Sequence, residues 1–257
     1  MNEALNLAKM RHPGIVKVME AFDVYHTSYY VMEYLEGGSL DNYIKEQGHL
    51  SEKEAVETIR KIAEALEHMH GQHMLHLDLK PGNIMFDSNH EPVLIDFGLS
   101  RVYDPSGQAE SSTVIGLGTS GYAPLEQSTY QGNGQFEPTL DIYALGGTLF
   151  KMLTGKVPPV ASEVLNHTEV LQHKLIEADV SQDLIALIRH AMSPIRSERI
   201  ASVEEFLKEL SSITPMDVLQ PIIQKLEAEE KGALTPVQRQ NTELLLIDAQ
   251  KLKELKG

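Results

Sequence analysis

The run His76-Leu77-Asp78-Leu79-Lys80-Pro81-Gly82-Asn83 restricts the fold of this chain more than any other stretch. Proline lacks the amide proton a helix needs and glycine favours disorder, so the segment must be a shaped loop. That loop carries a proton-accepting acid, Asp78, a cation two residues on, Lys80, and an amide five residues on, Asn83. Thirteen residues after Asn83, the apolar run Val93-Leu94-Ile95 leads into a second acid at Asp96-Phe97-Gly98. Either stretch alone reads equally well as a polar surface loop or an acidic turn. Both together, in this order and at this spacing, form a specific signature.

The pair resembles the catalytic loop and the metal-binding Asp-Phe-Gly of protein kinases. The resemblance implies an α+β, protein kinase-like fold: a mostly α-helical large lobe and an incomplete small lobe of one helix and two strands. It also implies phosphoryl transfer, in which the protein positions groups and neutralises charge. On that basis Asp78 orients the attacking hydroxyl and accepts its proton, and Lys80 stands as a fixed positive charge near the moving phosphoryl group. Asn83 and Asp96 supply oxygen ligands for Mg²⁺, whose shell is completed by phosphates and water. Lys80 matches the serine/threonine class, which implies ATP and a protein substrate. Gly118-Thr119-Ser120-Gly121-Tyr122-Ala123 with Glu126-Gln127 resembles bacterial members.

Composition narrows the alternatives. A net charge of −15 over 257 residues leaves no basic face of the kind that displaces counterions, so no nucleic-acid partner is expected. There is no cysteine, which removes disulfide and thiolate chemistry and fits a reducing compartment. No apolar run approaches the roughly 18 residues of a membrane span, and the first residues lack a signal-peptide pattern. A cytoplasmic location is the expectation.

Residues 2–9 read as a short helix through Leu5, Leu7 and Ala8, ending before His12-Pro13-Gly14. Strands are expected from Ile15 to Phe22 and from Ser28 to Glu33. Tyr29 to Leu40 resembles the kinase strand and hinge. Met32 is then the gatekeeper, the backbone of Glu33 and Leu35 holds adenine, and Met85 is the adenine floor. Residues 51–70 carry the clearest helical pattern, with Ala55, Val56, Ile59, Ile62, Ala63, Leu66 and Met69 on one face and a capping box at Ser51 and Glu54. His68, His70, His73 and His76 follow closely. No helix-face pairing or nearby carboxylate spacing supports a metal site, so most are expected to be solvated. The resemblance gives His76 a packing role beneath Phe97.

Gly116-Leu117-Gly118-Thr119-Ser120-Gly121 fits a phosphate-cradling pattern but lacks its strand-to-helix setting. It reads instead as the substrate-facing end of an activation segment over residues 103–120. Pro124-Leu125-Glu126 then stands where kinases show Ala-Pro-Glu, and the resemblance pairs Glu126 with Arg199. Asp141 opens an apolar helix ending near Gly155; it is either a helix cap or the family's anchor for the catalytic loop. Closing helices are expected around 184–188 and 203–207. A packing column is traced through Leu7, Val18, Phe97, His76 and Asp141.

The resemblance divides the chain into a partial small lobe and hinge (1–35), a large lobe (36–213) and a C-terminal helical extension (214–257) suited to docking or self-association. The kinase glycine-rich loop and ATP-binding Lys strand would lie ahead of Glu3, and this sequence does not contain them. An incomplete copy of a working kinase is therefore expected. The alternative is a catalytically inactive kinase-like module that binds a partner.

Overall fold

A computed structural model describes residues 10–25, 27–97, 100–103, 118–128 and 137–213. The expected helix at 2–9, Leu7 and Glu3, most of the activation segment and the tail at 214–257 lie outside the described residues. Within them the architecture is α+β: small antiparallel ribbons beside a helical body.

Strands β1 (Val18–Val24) and β2 (Thr27–Met32) form an antiparallel hairpin, with Val24 opposite Thr27. The first strand was expected from Ile15. Instead residues 14–16 leave the hairpin to bond elsewhere: Val16 N–H donates to Leu94 O at 3.0 Å and Leu94 N–H to Gly14 O at 2.8 Å. A two-stranded ribbon is marginal alone, and this junction ties it to the body.

The body begins with α1 (Leu40–Gln47) and α2 (Glu52–His70). The apolar face predicted for α2 is buried, with Ile59, Leu66 and Met69 fully so. Ser51 caps it, accepting from the Glu54 amide at 3.2 Å. The Glu54 carboxylate accepts from the Tyr43 hydroxyl at 2.7 Å and pins α1 to α2. Short ribbons follow: β3 (Met74–Leu75) pairs with β6 (Arg101–Val102), and β4 (Ile84–Phe86) with β5 (Pro92–Leu94). A 3₁₀ turn at Pro81–Asn83 leads directly into β4.

After α3 (Leu125–Ser128) comes α4 (Thr139–Thr154), buried at every position from Thr139 to Leu153. A helix apolar on all sides belongs at the centre, and α4 packs against α2 and against α7 (Gln182–Ala191). Gly155 ends it in the left-handed region at φ 68°. The outer shell is completed by α5 (Ala161–Asn166), α6 (Val170–Glu177) and α8 (Val203–Ser211), the last lying on α2. Among the described residues no helix is long and apolar enough to cross a membrane.

Candidate active site

The loop at 76–83 is held from below by α4. Asp141 is fully buried, and its two carboxylate oxygens accept the backbone N–H groups of His76 and Leu77, each at 2.8 Å. It is an anchor and not a helix cap; Pro138 occupies the cap position. A third donor, His70 Nε2, lies 2.8 Å from the same carboxylate. Most of the histidines in this run were expected to be solvated, and His70 is not among them. Its side chain is only 10% exposed, because the end of α2 passes over the start of α4. Burial alone would push the Asp141 carboxyl up. The His70 hydrogen bond and charge and the His76 amide reverse this and hold it below its ordinary value.

His76 is fully buried, as the packing role requires, with its ring 5.4 Å from that of Phe97. The Asp78 N–H points at Nδ1 (3.4 Å), so Nε2 carries the proton and donates to Ile95 O at 3.2 Å. Burial lowers the imidazole's pKa despite the raising effect of Asp141 and other nearby acids. From Phe97 through His76 to Asp141 the expected column is continuous; Val18 also packs on the core.

Anchored in this way, the loop gathers its polar side chains. The Asp78 carboxylate is 12% exposed and has three donors. Lys80 Nζ approaches Oδ2 at 2.7 Å, Asn83 Nδ2 reaches Oδ2 at 3.0 Å and the Asp78 carbonyl at 2.8 Å, and the Thr119 hydroxyl donates to Oδ1 at 2.6 Å. Lys80 Nζ also donates to Thr119 Oγ1 at 2.7 Å. Ile95 N–H donates to Asn83 O at 2.9 Å, so the chain bearing Asp96 runs beside Asn83. Asp96 is exposed and sits at φ 59°, in the left-handed region that a non-glycine residue enters only at a cost.

A second set of residues lies above β4. Gly37 N–H donates to Phe86 O and Phe86 N–H to Gly38 O, both at 2.9 Å, clipping the segment after β2 onto that strand. A Cβ on Gly37 would stand 2.6 Å from the Phe86 Cβ, so only glycine permits the approach. The clip brings Leu35 and Met85 into one small apolar cluster with Val16, Val93, Ile95 and Phe97. Glu33 N–H donates to Lys17 O, and its side chain accepts from Lys17 N–H. Among the described residues neither the Glu33 carbonyl nor the Leu35 amide has a backbone partner.

Thr119 and Gln127 had no role in the sequence reading. Gln127 Nε2 donates to Leu77 O at 2.6 Å. Gly118 and Gly121 have φ of 99° and 87°, and a Cβ on them would meet Ala123 at 2.6 Å and the Pro158 carbonyl at 2.7 Å. Turn geometry and close packing account for these glycines without a phosphate. No group of three or more His, Cys, Asp or Glu side chains suited to a metal is found among the described residues.

Glu126 and Arg199 meet as expected, Nη1 to Oε1 at 2.7 Å. The arginine side chain has no exposure; it also donates to Thr139 O and Ser193 O and lies 5.1 Å from the centre of the Tyr143 ring. Arg199→Lys keeps the charge but cannot make this fork of bonds. A loss of about 1–3 kcal/mol in stability is expected. Chemical denaturation checks it, and an unchanged midpoint would mean that charge alone suffices.

Comparison with known proteins accords with this geometry. The family model of the protein kinase domain matches residues 1–217. The serine/threonine-protein kinase PknA of Nostoc sp. is 33% identical over 206 residues, covering 77% of this chain and 35% of the relative. The serine/threonine-protein kinase Cds1 of Schizosaccharomyces pombe is 30% identical over 207 residues, 77% of this chain and 44% of the relative. For PknB of Mycolicibacterium smegmatis the figures are 29% over 218 residues, 81% and 34%. The chain thus spans under half the length of the curated relatives it matches. With a family model matched over most of its length, this chain belongs to the protein kinase domain family.

Proposed function

We propose that this chain is a protein serine/threonine kinase domain that transfers the γ-phosphoryl group of ATP to Ser or Thr hydroxyls with Mg²⁺. The observation that carries the reading is the Asp78 carboxylate, oriented by Lys80, Asn83 and Thr119 in a loop anchored on buried Asp141. In this proposal residues 1–35 belong to the small lobe and hinge, 36–213 form the large lobe, and 214–257 are a C-terminal extension.

The residues fit both cofactors. The Glu33 carbonyl and Leu35 amide offer an acceptor and a donor at the edge of an apolar floor that includes Met85, the pattern an adenine ring requires. Asn83 commits Nδ2 to Asp78, leaving its carbonyl oxygen for a hard cation, with Asp96 on the neighbouring chain as the second ligand. ATP supplies the phosphoryl group, and Mg²⁺ neutralises charge on its phosphates. Asp78 orients the acceptor hydroxyl and takes its proton, and Lys80 is the positive charge beside it. The Thr119 hydroxyl now satisfies Oδ1, the oxygen an incoming hydroxyl would share.

The test is γ-phosphate transfer from labelled ATP to a generic protein substrate, with Mg²⁺ and with Mg²⁺ chelated. Transfer that depends on the metal is expected. No transfer under either condition would overturn the reading in favour of a binding module. A second expectation concerns Leu77, which is buried and uncharged where many kinases carry an arginine that reads a phosphate on the activation segment. Phosphatase treatment should leave the transfer rate nearly unchanged, and a large loss would contradict this.

A further inference from the structure

The Leu77 peptide is gripped on both sides. Its N–H is held by Asp141 Oδ1 at 2.8 Å and its C=O by Gln127 Nε2 at 2.6 Å. Between these grips Leu77 adopts φ 65°, a left-handed conformation disfavoured for a branched side chain. The next residue is Asp78, so the direction of its Cα–Cβ bond follows from that turn. Asp141 is part of the central helix. Gln127 belongs to the segment 118–128, which also sends Thr119 onto Asp78 and Lys80. Gln127 is buried, and only its NH₂ end can face a carbonyl. Gly118 leaves room for that end: a Cβ there would stand 2.8 Å from Nε2.

We propose that Gln127 is a positioning residue for Asp78, holding the strained Leu77 turn and making its geometry depend on the order of segment 118–128. It acts through a main-chain carbonyl and touches neither phosphate nor acceptor. The functional part of this inference rests on the kinase reading of Asp78; the structural part does not. Its consequence is that disturbing the 118–128 segment weakens transfer even when nucleotide binding is intact.

The test uses the full chain with Gln127→Leu and Gln127→Glu. Hydrogen–deuterium exchange is followed in the peptide covering 74–80 and in α4, alongside transfer kinetics. Gln127→Leu should speed exchange in 74–80 by about 10-fold or more while α4 stays protected. It should also lower kcat by roughly 10–100-fold with KM for ATP within about twofold. Gln127→Glu sets a carboxylate against a carbonyl. Burial and that neighbour raise its pKa, and once protonated it can donate again. It should resemble Gln127→Leu at pH 8 and regain protection and rate toward about pH 5.5, measured against the native chain at each pH. A merely space-filling glutamine would not produce that pH dependence. Native-like protection of 74–80 in Gln127→Leu, or a pH-independent Gln127→Glu, overturns the proposal. If Gln127→Leu does not fold, the pH response of Gln127→Glu decides. If the native chain transfers no phosphate, the kinase reading falls while the exchange data still decide on Gln127.

Discussion

Asp78→Ala is expected to lower phosphoryl transfer by about 10²–10⁴-fold, the usual worth of a positioned general base. That corresponds to roughly 3–5 kcal/mol on the barrier. Mg·ATP binding should stay close to native, because Glu33, Leu35, Met85 and Asp96, the residues proposed to hold nucleotide and metal, are untouched. Alanine also releases Lys80, Asn83 and Thr119 from their common acceptor, so Asp78→Asn is the informative companion. Asparagine retains an oxygen for these donors but cannot take the proton. Transfer rates and calorimetric ATP binding on both variants separate the roles. Substantial transfer by Asp78→Asn would show that Asp78 is an orienting group and not the base.

Asp141→Ala should be the most destabilising single change in the site. It strips the acceptor from two buried backbone N–H groups and from His70. Removing one side of a buried, hydrogen-bonded charge costs about 3–5 kcal/mol. For a domain of this size each kcal/mol lowers the melting temperature by about 2–4 °C. A melt within about 2 °C of native would refute the anchoring role. The sign of the pH dependence follows from the lowered carboxyl of Asp141. Its stabilising contribution is complete above the unfolded value, near 3.8, and is lost as pH falls through the lower folded value. His76, buried and neutral, acts in the same direction at higher pH. Its contribution is complete above about 6.5 and declines as acid protonates the unfolded chain. Asp141→Asn should therefore flatten the strongly acidic limb of the stability profile, while the His76 limb persists and deepens, because the raising effect of the Asp141 charge on the imidazole is gone.

What could be read from the sequence was local. The period of α2, the all-round apolarity of α4 and the cluster Asp78, Lys80 and Asn83 each lie within one short window, where spacing alone dictates which side chains meet. Short elements with weak periodicity, such as α5 and α6 and the two- and three-residue strands, left no such pattern. The assignments to Asp141, Glu126 and Arg199 needed the family resemblance, since nothing local links residues so far apart. His70, Thr119 and Gln127 were missed because each acts on a partner outside its own element. His70 looked like one member of a histidine run, and only the crossing of α2 over α4 reveals its carboxylate. Thr119 and Gln127 looked like ordinary turn and helix residues until the chain brought them onto Asp78 and Leu77.

The grip on Leu77 bears on how such a loop tolerates mutation. Both holds act on main-chain atoms, the N–H and the C=O, and neither involves the leucine side chain. The bend before Asp78 is thus encoded at positions 50 and 64 residues downstream rather than at the residue that bends. Position 77 is consequently free to change its chemistry, within the space available, while the turn persists. The immutable positions are remote ones, and a survey of tolerated substitutions would find the shape of this loop written in α3 and α4.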